Sequence, residues 1–266
     1  MSDPVRSGPE ARFAPMEISG GDFRRLAEFI QRTYGIDLSK KRQLITGRLS
    51  STLRQRGYDS CSQFVDHLLK EKDNEEITLV LNQLTTNYTF FMREKEHLTL
   101  FCQKIIPELV QRHRRGSLQP DHVPLRLSGL PGQELGHPDP GNGHLRPGSH
   151  CRQAGHLRAA GHPAPPSWKS KYFTANSDGT HTVAPVVRDN VIFRHFNLMD
   201  PIRFHRKFDV IFCRNVMIYF DQPTKVALVQ RFYDATVPGG YFLISYSENL
   251  SPRSPYRRLA PATFQK

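Results

Sequence analysis

Cysteine is scarce and unpaired: Cys61, Cys102, Cys151 and Cys213 form no C-x-x-C pair in 266 residues. That spacing excludes a zinc knuckle and argues against a disulfide scaffold, and reduced thiols of this kind fit a cytoplasmic protein. Nowhere do 18 apolar residues run together, and the polar, proline-bearing residues 1–15 lack the apolar stretch of a secretory leader, so neither membrane insertion nor export is expected. No G-x-S-x-G elbow is present for a serine hydrolase. Negative charge is also sparse, with 25 Asp and Glu against 37 Lys and Arg, for a net charge of +12. A field of one sign speeds encounter with the opposite sign, which leaves nucleic acid, anionic membrane or acidic protein as partners. No DNA- or RNA-binding motif accompanies the charge, and the basic stretch Lys40–Arg56 lacks interleaved aromatics, which disfavours nucleic acid.

What is there divides into two patterns. From Phe23 to Leu84 apolar residues recur at helical spacing: Phe23, Leu26, Ala27 and Ile30, then Ile45, Leu49 and Leu53, then Ile77, Val80, Leu81 and Leu84. Tyr34-Gly35 and Arg56-Gly57 supply helix stops, and Asp59 or Ser60 can cap the helix that carries Phe64, Leu68 and Leu69, so about four short helices are expected. The second is surrounded by Lys40, Lys41, Arg42, Arg48, Arg54 and Arg56, with no acidic residue between Asp37 and Asp59. Solvated faces normally mix signs, so this helix is expected to present a docking face to an acidic surface.

The C-terminal part reads as α/β. Phe208-Asp209-Val210-Ile211-Phe212-Cys213 is apolar nearly throughout, as a strand covered on both faces of a parallel sheet should be. Asp221-Gln222-Pro223 opens a helix with Val226, Val229, Phe232 and Val237 on its apolar side; Pro238-Gly239-Gly240 is expected to end it before a strand Tyr241–Ser245. In open sheets of this type ligands sit beyond the carboxyl ends of the strands, where Cys213, Arg214 and Asn215 fall. Asn215 could equally serve there only to turn the chain. Asp178-Gly179 suggests a β-hairpin turn.

Phe208 to Asp221, FDVIFCRNVMIYFD, resembles the signature of the chemotaxis receptor methyltransferases along its whole length. Leu84 to Glu94, LTTNYTFFMRE, resembles the segment that joins that family's helical and catalytic domains, and Phe196-Asn197-Leu198 and Ser245–Leu250 match in the same order. The resemblance implies a helical receptor-docking domain at residues 16–88 and a Rossmann-like methyltransferase domain at 89–266. It also implies S-adenosylmethionine as cofactor, no metal, and methylation of glutamate carboxylates on the acidic helices of methyl-accepting receptors by a monomer. By similarity Asn87, Thr89, Arg93, Asn197, Leu198, Asn215 and Val216 contact the cofactor, Arg93 and Tyr219 position the reactants, and Arg48, Arg54 and Arg56 meet the receptor.

One segment departs from the family. Residues 116–167 hold nine of the 18 Gly, nine of the 20 Pro and six of the 12 His, with no Phe, Tyr, Trp, Ile or Met. Central parallel strands need β-branched and aromatic residues and exclude proline, so the segment is expected to contribute no strand to the middle of the sheet and to leave Phe208–Cys213 partly uncovered. It could be an insert, a His/Cys metal site without a known ligand spacing, or a stretch translated out of frame. A catalytically inactive receptor-binding relative is the alternative function in that case.

Overall fold

The computed structural model describes residues 16–39, 41–71, 73–85, 92–114, 126–127, 156–158, 166–177, 180–191, 196–204 and 206–266. The chain divides into two compact units, Met1–Thr86 and Asn87–Lys266.

The first unit contains α1 (Gly20–Tyr34), α2 (Arg42–Gln55), α3 (Cys61–Glu71) and α4 (Asn74–Leu84). Each boundary has a local cause. Ser19 caps α1 by accepting the Asp22 N–H at 3.0 Å, and Gly35 stops it with φ 72°, a left-handed conformation that glycine adopts without a Cβ penalty. Ser60 accepts the Gln63 N–H at 3.1 Å while the Gln63 side chain accepts the Asp59 N–H at 3.0 Å, a reciprocal pair that starts α3. The apolar stripes then face one another: Leu26, Ile30, Ile45, Leu53, Phe64, Val65, Leu68 and Val80 are all buried. Each such side chain contributes about 1.5–3 kcal/mol through burial.

The second unit opens with a continuous helical run, α5 (Lys95–Leu100), a π-helical turn Phe101–Ile105, and α6 (Ile106–Arg114). Then follow β1 (Arg126–Leu127), β2 (His156–Arg158), α7 (Pro166–Tyr172), β3 (Phe173–Ala175), β4 (Thr180–Val183) and α8 (Pro185–Arg188). The unit closes with β5 (Phe208–Cys213), a 3-10 turn Met217–Tyr219, α9 (Gln222–Ala235), β6 (Thr236–Ile244), β7 (Arg257–Ala260) and β8 (Thr263–Gln265). The main sheet has the order β1-β5-β6-β8-β7, with β1, β5 and β6 parallel and β8 and β7 added antiparallel. A small antiparallel sheet, β2-β4-β3, stands apart from it.

Every residue of β5 is buried. Alternate residues of the parallel strands go to opposite faces, which two sets of helices cover. Val210, Phe212, Tyr241 and Leu243 pack with Phe101, Ile105 and Leu109 of the α5–α6 run, and on the other face Phe242 meets Phe232 of α9 at 5.4 Å between ring centres. Among the described residues no helix is long and apolar enough to cross a membrane.

Three sequence expectations need correction. The helix after Asp221 stops at Ala235, earlier than the Pro-Gly-Gly, and Val237 belongs to β6. Thr236 ends it: its hydroxyl bonds the Phe232 carbonyl at 2.6 Å and the Tyr256 hydroxyl at 2.8 Å, holding this residue in extended conformation. Pro238-Gly239-Gly240 then lies in a bulge, because Phe208 pairs with Thr236 but Val210 pairs with Tyr241. The buried side of α9 is Leu228, Val229 and Phe232, while Val226 is 51% exposed. Finally, Phe208–Cys213 is not left uncovered: Arg126 and Leu127, from residues 116–167, pair with Ile211 and Phe212 at the edge of the main sheet, and every residue of β5 is buried. β2 pairs with β4 in the separate sheet, so that among the described residues the segment supplies no strand to the middle of the main sheet. Two residues suffice because a parallel ladder needs backbone groups, which Arg and Leu provide as well as Val. Most of that segment, including His137, His144, His150, Cys151 and His162, lies outside the described residues, as do Asp178 and Gly179; their flanks Ala175 and His181 are paired antiparallel.

Candidate functional site at the carboxyl ends of β5 and β6

Beyond Cys213 the chain turns sharply, and Asn215 takes φ 60°, a left-handed conformation that asparagine tolerates better than most residues. Three polar contacts hold that turn. The Asn215 N–H donates to Glu248 Oε2 at 3.3 Å, its Nδ2 donates to Ser245 Oγ at 2.8 Å, and Ile218 N–H donates to Glu248 Oε1 at 3.1 Å. Glu248 also accepts the Ser245 N–H at 2.9 Å. Glu248 is buried, and burial raises its pKa; the backbone N–H groups of Ser245, Asn215, Ile218 and Met217 oppose that rise without cancelling it.

A second carboxylate enters from the start of α5. Glu94 accepts from Arg214 Nε at 2.9 Å and from Ser245 Oγ at 2.7 Å, and lies 3.1 Å from His97 Nδ1. Burial would raise the Glu94 pKa, but the Ser245 hydrogen bond and the charge of Arg214 outweigh it and hold the carboxyl below its ordinary value. His97 is 1% exposed, and burial lowers its pKa against the pull of Glu94, so the ring is neutral at pH 7 and its Nδ1 carries the proton toward Glu94. The ring stacks on Tyr246 at 4.3 Å and 14°. Arg214 Nη2 additionally donates to the Arg93 carbonyl, and Arg93 sits between Met92 (φ 61°) and Glu94 (φ 55°). Three non-glycine left-handed residues thus gather at one end of the sheet, and strain of this kind concentrates at functional sites.

The expected site residues separate into groups. Arg93, Asn215 and Val216 come together here, with Val216 buried and its carbonyl accepting the Tyr219 N–H at 3.3 Å; Tyr219 is itself buried in the 3-10 turn. Leu198 is buried, and its carbonyl accepts from Arg231 Nη2 of α9 at 2.7 Å; the Asn197 side chain accepts the Met199 N–H at 3.0 Å and shapes its own turn. Asn87 and Thr89 lie outside the described residues. In the helical unit Arg48 donates to the Gln83 carbonyl at 3.1 Å and Arg56 pairs with buried Glu76 at 3.0 Å, while Arg54 is exposed on α2. Sequence reasoning missed Glu94, His97, Ser245 and Glu248 as one cluster. The available signal was the i,i+3 spacing of Glu94 with His97 and of Ser245 with Glu248, polar pairs inside or beside the family-like strings.

Residues 153–264 match the CheR methyltransferase SAM binding domain, and residues 21–85 match the CheR methyltransferase all-alpha domain. The chain is 32% identical over 247 residues to chemotaxis protein methyltransferase 2 of Pseudomonas aeruginosa, covering 86% of each chain. The chain belongs to the CheR methyltransferase family. Other family members include the chemotaxis protein methyltransferase of Borreliella burgdorferi, 28% identical over 274 residues covering 94% of this chain and 96% of that one. That of Salmonella typhimurium is 27% identical over 257 residues, covering 89% and 86%.

Membership makes S-adenosylmethionine the cofactor of this CheR methyltransferase. The donor set fits such a group: half-buried Arg93 and Asn215 stand at the strand ends, one able to grip a carboxylate with its planar fork and the other to present an amide to a polar edge. Both nearby carboxylates, Glu94 and Glu248, are taken up by protein partners.

Proposed function

We propose that the chain methylates glutamate side chains of chemotaxis receptors in the cytoplasm, producing the methyl esters used in sensory adaptation. The observation that carries this reading is the meeting of the Arg93 turn, Asn215 and Ser245 at the carboxyl ends of two adjacent parallel strands, in a chain whose relatives are chemotaxis protein methyltransferases. Bound S-adenosylmethionine supplies an electrophilic methyl group. A receptor glutamate is already ionised at neutral pH, so no side chain has to remove a proton. The task left to the protein is to align nucleophile and methyl group and to exclude water, which is worth up to about 7–11 kcal/mol.

Residues 89–266 form the catalytic part in this reading. Arg93 holds the carboxylate end of the cofactor. Asn87, Thr89, Asn197, Leu198, Asn215 and Val216 frame the rest, and Tyr219 lines the reaction centre. Residues 16–88 dock the receptor through the basic helix α2. Arg48, Arg54 and Arg56 make that contact, with Arg48 also donating to the Gln83 carbonyl and Arg56 also pairing with Glu76. The enzyme acts as a monomer.

The test is transfer of labelled methyl from S-adenosylmethionine to a receptor cytoplasmic fragment, followed by release of labelled methanol in mild base. Base-labile label on the receptor is expected. Label stable to base would overturn the ester assignment. Receptor binding without any binding of S-adenosylhomocysteine would establish the inactive alternative.

A further inference from the structure

We propose that Glu94 is a positioning residue for the cofactor, acting through Arg93. The inference rests on the cofactor reading above and concerns how that site is held in shape.

Three observations carry it. The first is backbone strain: Met92 and Glu94 both have φ near 60°, so Arg93 is displayed between two conformations that L-residues rarely adopt. Such a turn persists only where its surroundings over-determine it. The second is where the restraint comes from. The Glu94 carboxylate is gripped by Arg214, immediately after β5, by Ser245, immediately after β6, and by His97, one turn into α5. The Glu94 carboxylate thus ties the turn to both strand ends at once. The third is the second use of Arg214, whose Nε holds Glu94 while its Nη2 donates to the Arg93 carbonyl. One guanidinium thereby fixes the backbone of Arg93 and the side chain of its neighbour.

The same hub reaches the other expected cofactor residue, because Ser245 Oγ accepts from Asn215 Nδ2 while donating to Glu94. Glu94 is therefore the shared restraint on Arg93 and Asn215, and it needs no contact with the cofactor itself. His97 completes the arrangement as a neutral donor buried beneath Tyr246.

Glu108 provides an internal comparison. It too is a carboxylate on the same helical run, accepting from Tyr241 and Arg112, but it joins α6 to the middle and bulge of β6. A merely structural carboxylate should behave as Glu108 does.

The experiment is calorimetric titration of the full chain with S-adenosylhomocysteine, for wild type, E94Q, R93A, the E94Q/R93A double variant and E108Q, each at matched folded fraction. E94Q is expected to weaken binding by about tenfold, and to add little further loss once Arg93 is already alanine, as coupled neighbours do. E108Q is expected to lower the unfolding midpoint and leave affinity within about twofold of wild type. Undiminished affinity in E94Q, or losses for E94Q and R93A that simply add, would overturn the proposal while leaving the cofactor site in place. Failure of the wild-type chain to bind would overturn the cofactor reading and this inference together.

Discussion

Removal of the Glu248 carboxylate tests whether the polar turns at the strand ends are built as described. Glu248 is 7% exposed and accepts the backbone N–H groups of Ser245, Asn215 and Ile218 at 2.9, 3.3 and 3.1 Å. In E248A all three donors lose their partner. The Ser245 contact is fully buried, so its orphaned N–H costs about 2 kcal/mol; the other two are partly buried, and water can reach them, so about 0.5–1 kcal/mol each is appropriate. The sum is about 3–4 kcal/mol, reduced somewhat because the burial of a charge is relieved at the same time. For a unit of this size that lowers the unfolding midpoint by roughly 10 °C. E248Q keeps an acceptor for Ser245 but turns an amide donor toward another N–H, and should fall about midway. Differential scanning calorimetry at pH 7 reads both. An E248A midpoint within about 2 °C of wild type would refute the reasoning, since three unpaired donors cannot be that cheap.

Acid should act on Glu94 in the opposite direction from Glu248. With its folded pKa depressed, Glu94 contributes stability above its ordinary value of 4.5 and loses it as pH falls through the lower folded value. Urea unfolding between pH 6 and pH 3 should therefore show an acid limb that E94Q flattens. Gly240→Ala would place a Cβ 2.6 Å from Thr236 Cγ2 and 2.9 Å from the Asp209 carbonyl, and should destabilise by about 1–3 kcal/mol in the same urea titration. Arg56→Ala leaves Glu76, whose side chain is 7% exposed, without its cation, and about 2 kcal/mol of stability should go with it. Arg54→Glu should weaken receptor binding in a pull-down or titration and leave S-adenosylhomocysteine affinity unchanged; unaltered receptor binding would remove α2 from the docking surface.

Much of the fold was legible because its elements carry local causes. Gly35 and Gly57 end helices where a left-handed residue is needed, Asp221 caps α9 through the Thr224 N–H, and Phe208–Cys213 reads as a fully covered strand. The end of α9 was misread because Pro-Gly-Gly is an obvious stop signal, whereas the actual stop, Thr236, depends on the Tyr256 hydroxyl, 20 residues away. The carboxylate cluster was illegible for a similar reason. Glu94 finds Arg214 and Ser245 at sequence separations of 120 and 151, and no periodicity reports a contact of that range. Asn215 was placed correctly at the strand end, and its turn-forming reading is met there, since the residue adopts φ 60° and bonds Ser245.

The π-helical turn at Phe101–Ile105 bears on more than packing. His97, Phe101, Ile105 and Leu109 are all buried, and they recur every fourth residue. In an unbroken α-helix that spacing drifts by about 40° per step, so the stripe would leave the sheet before reaching its far end. The wider turn takes up the drift, and one helix face can run from Glu94 at the chemical end of the sheet to Arg112 at the bulge of β6. The two ends are thereby phase-locked like teeth on one shaft: loss of a single residue from the π turn, with Leu109 still seated, would swing His97 and Glu94 by about 100° away from Ser245.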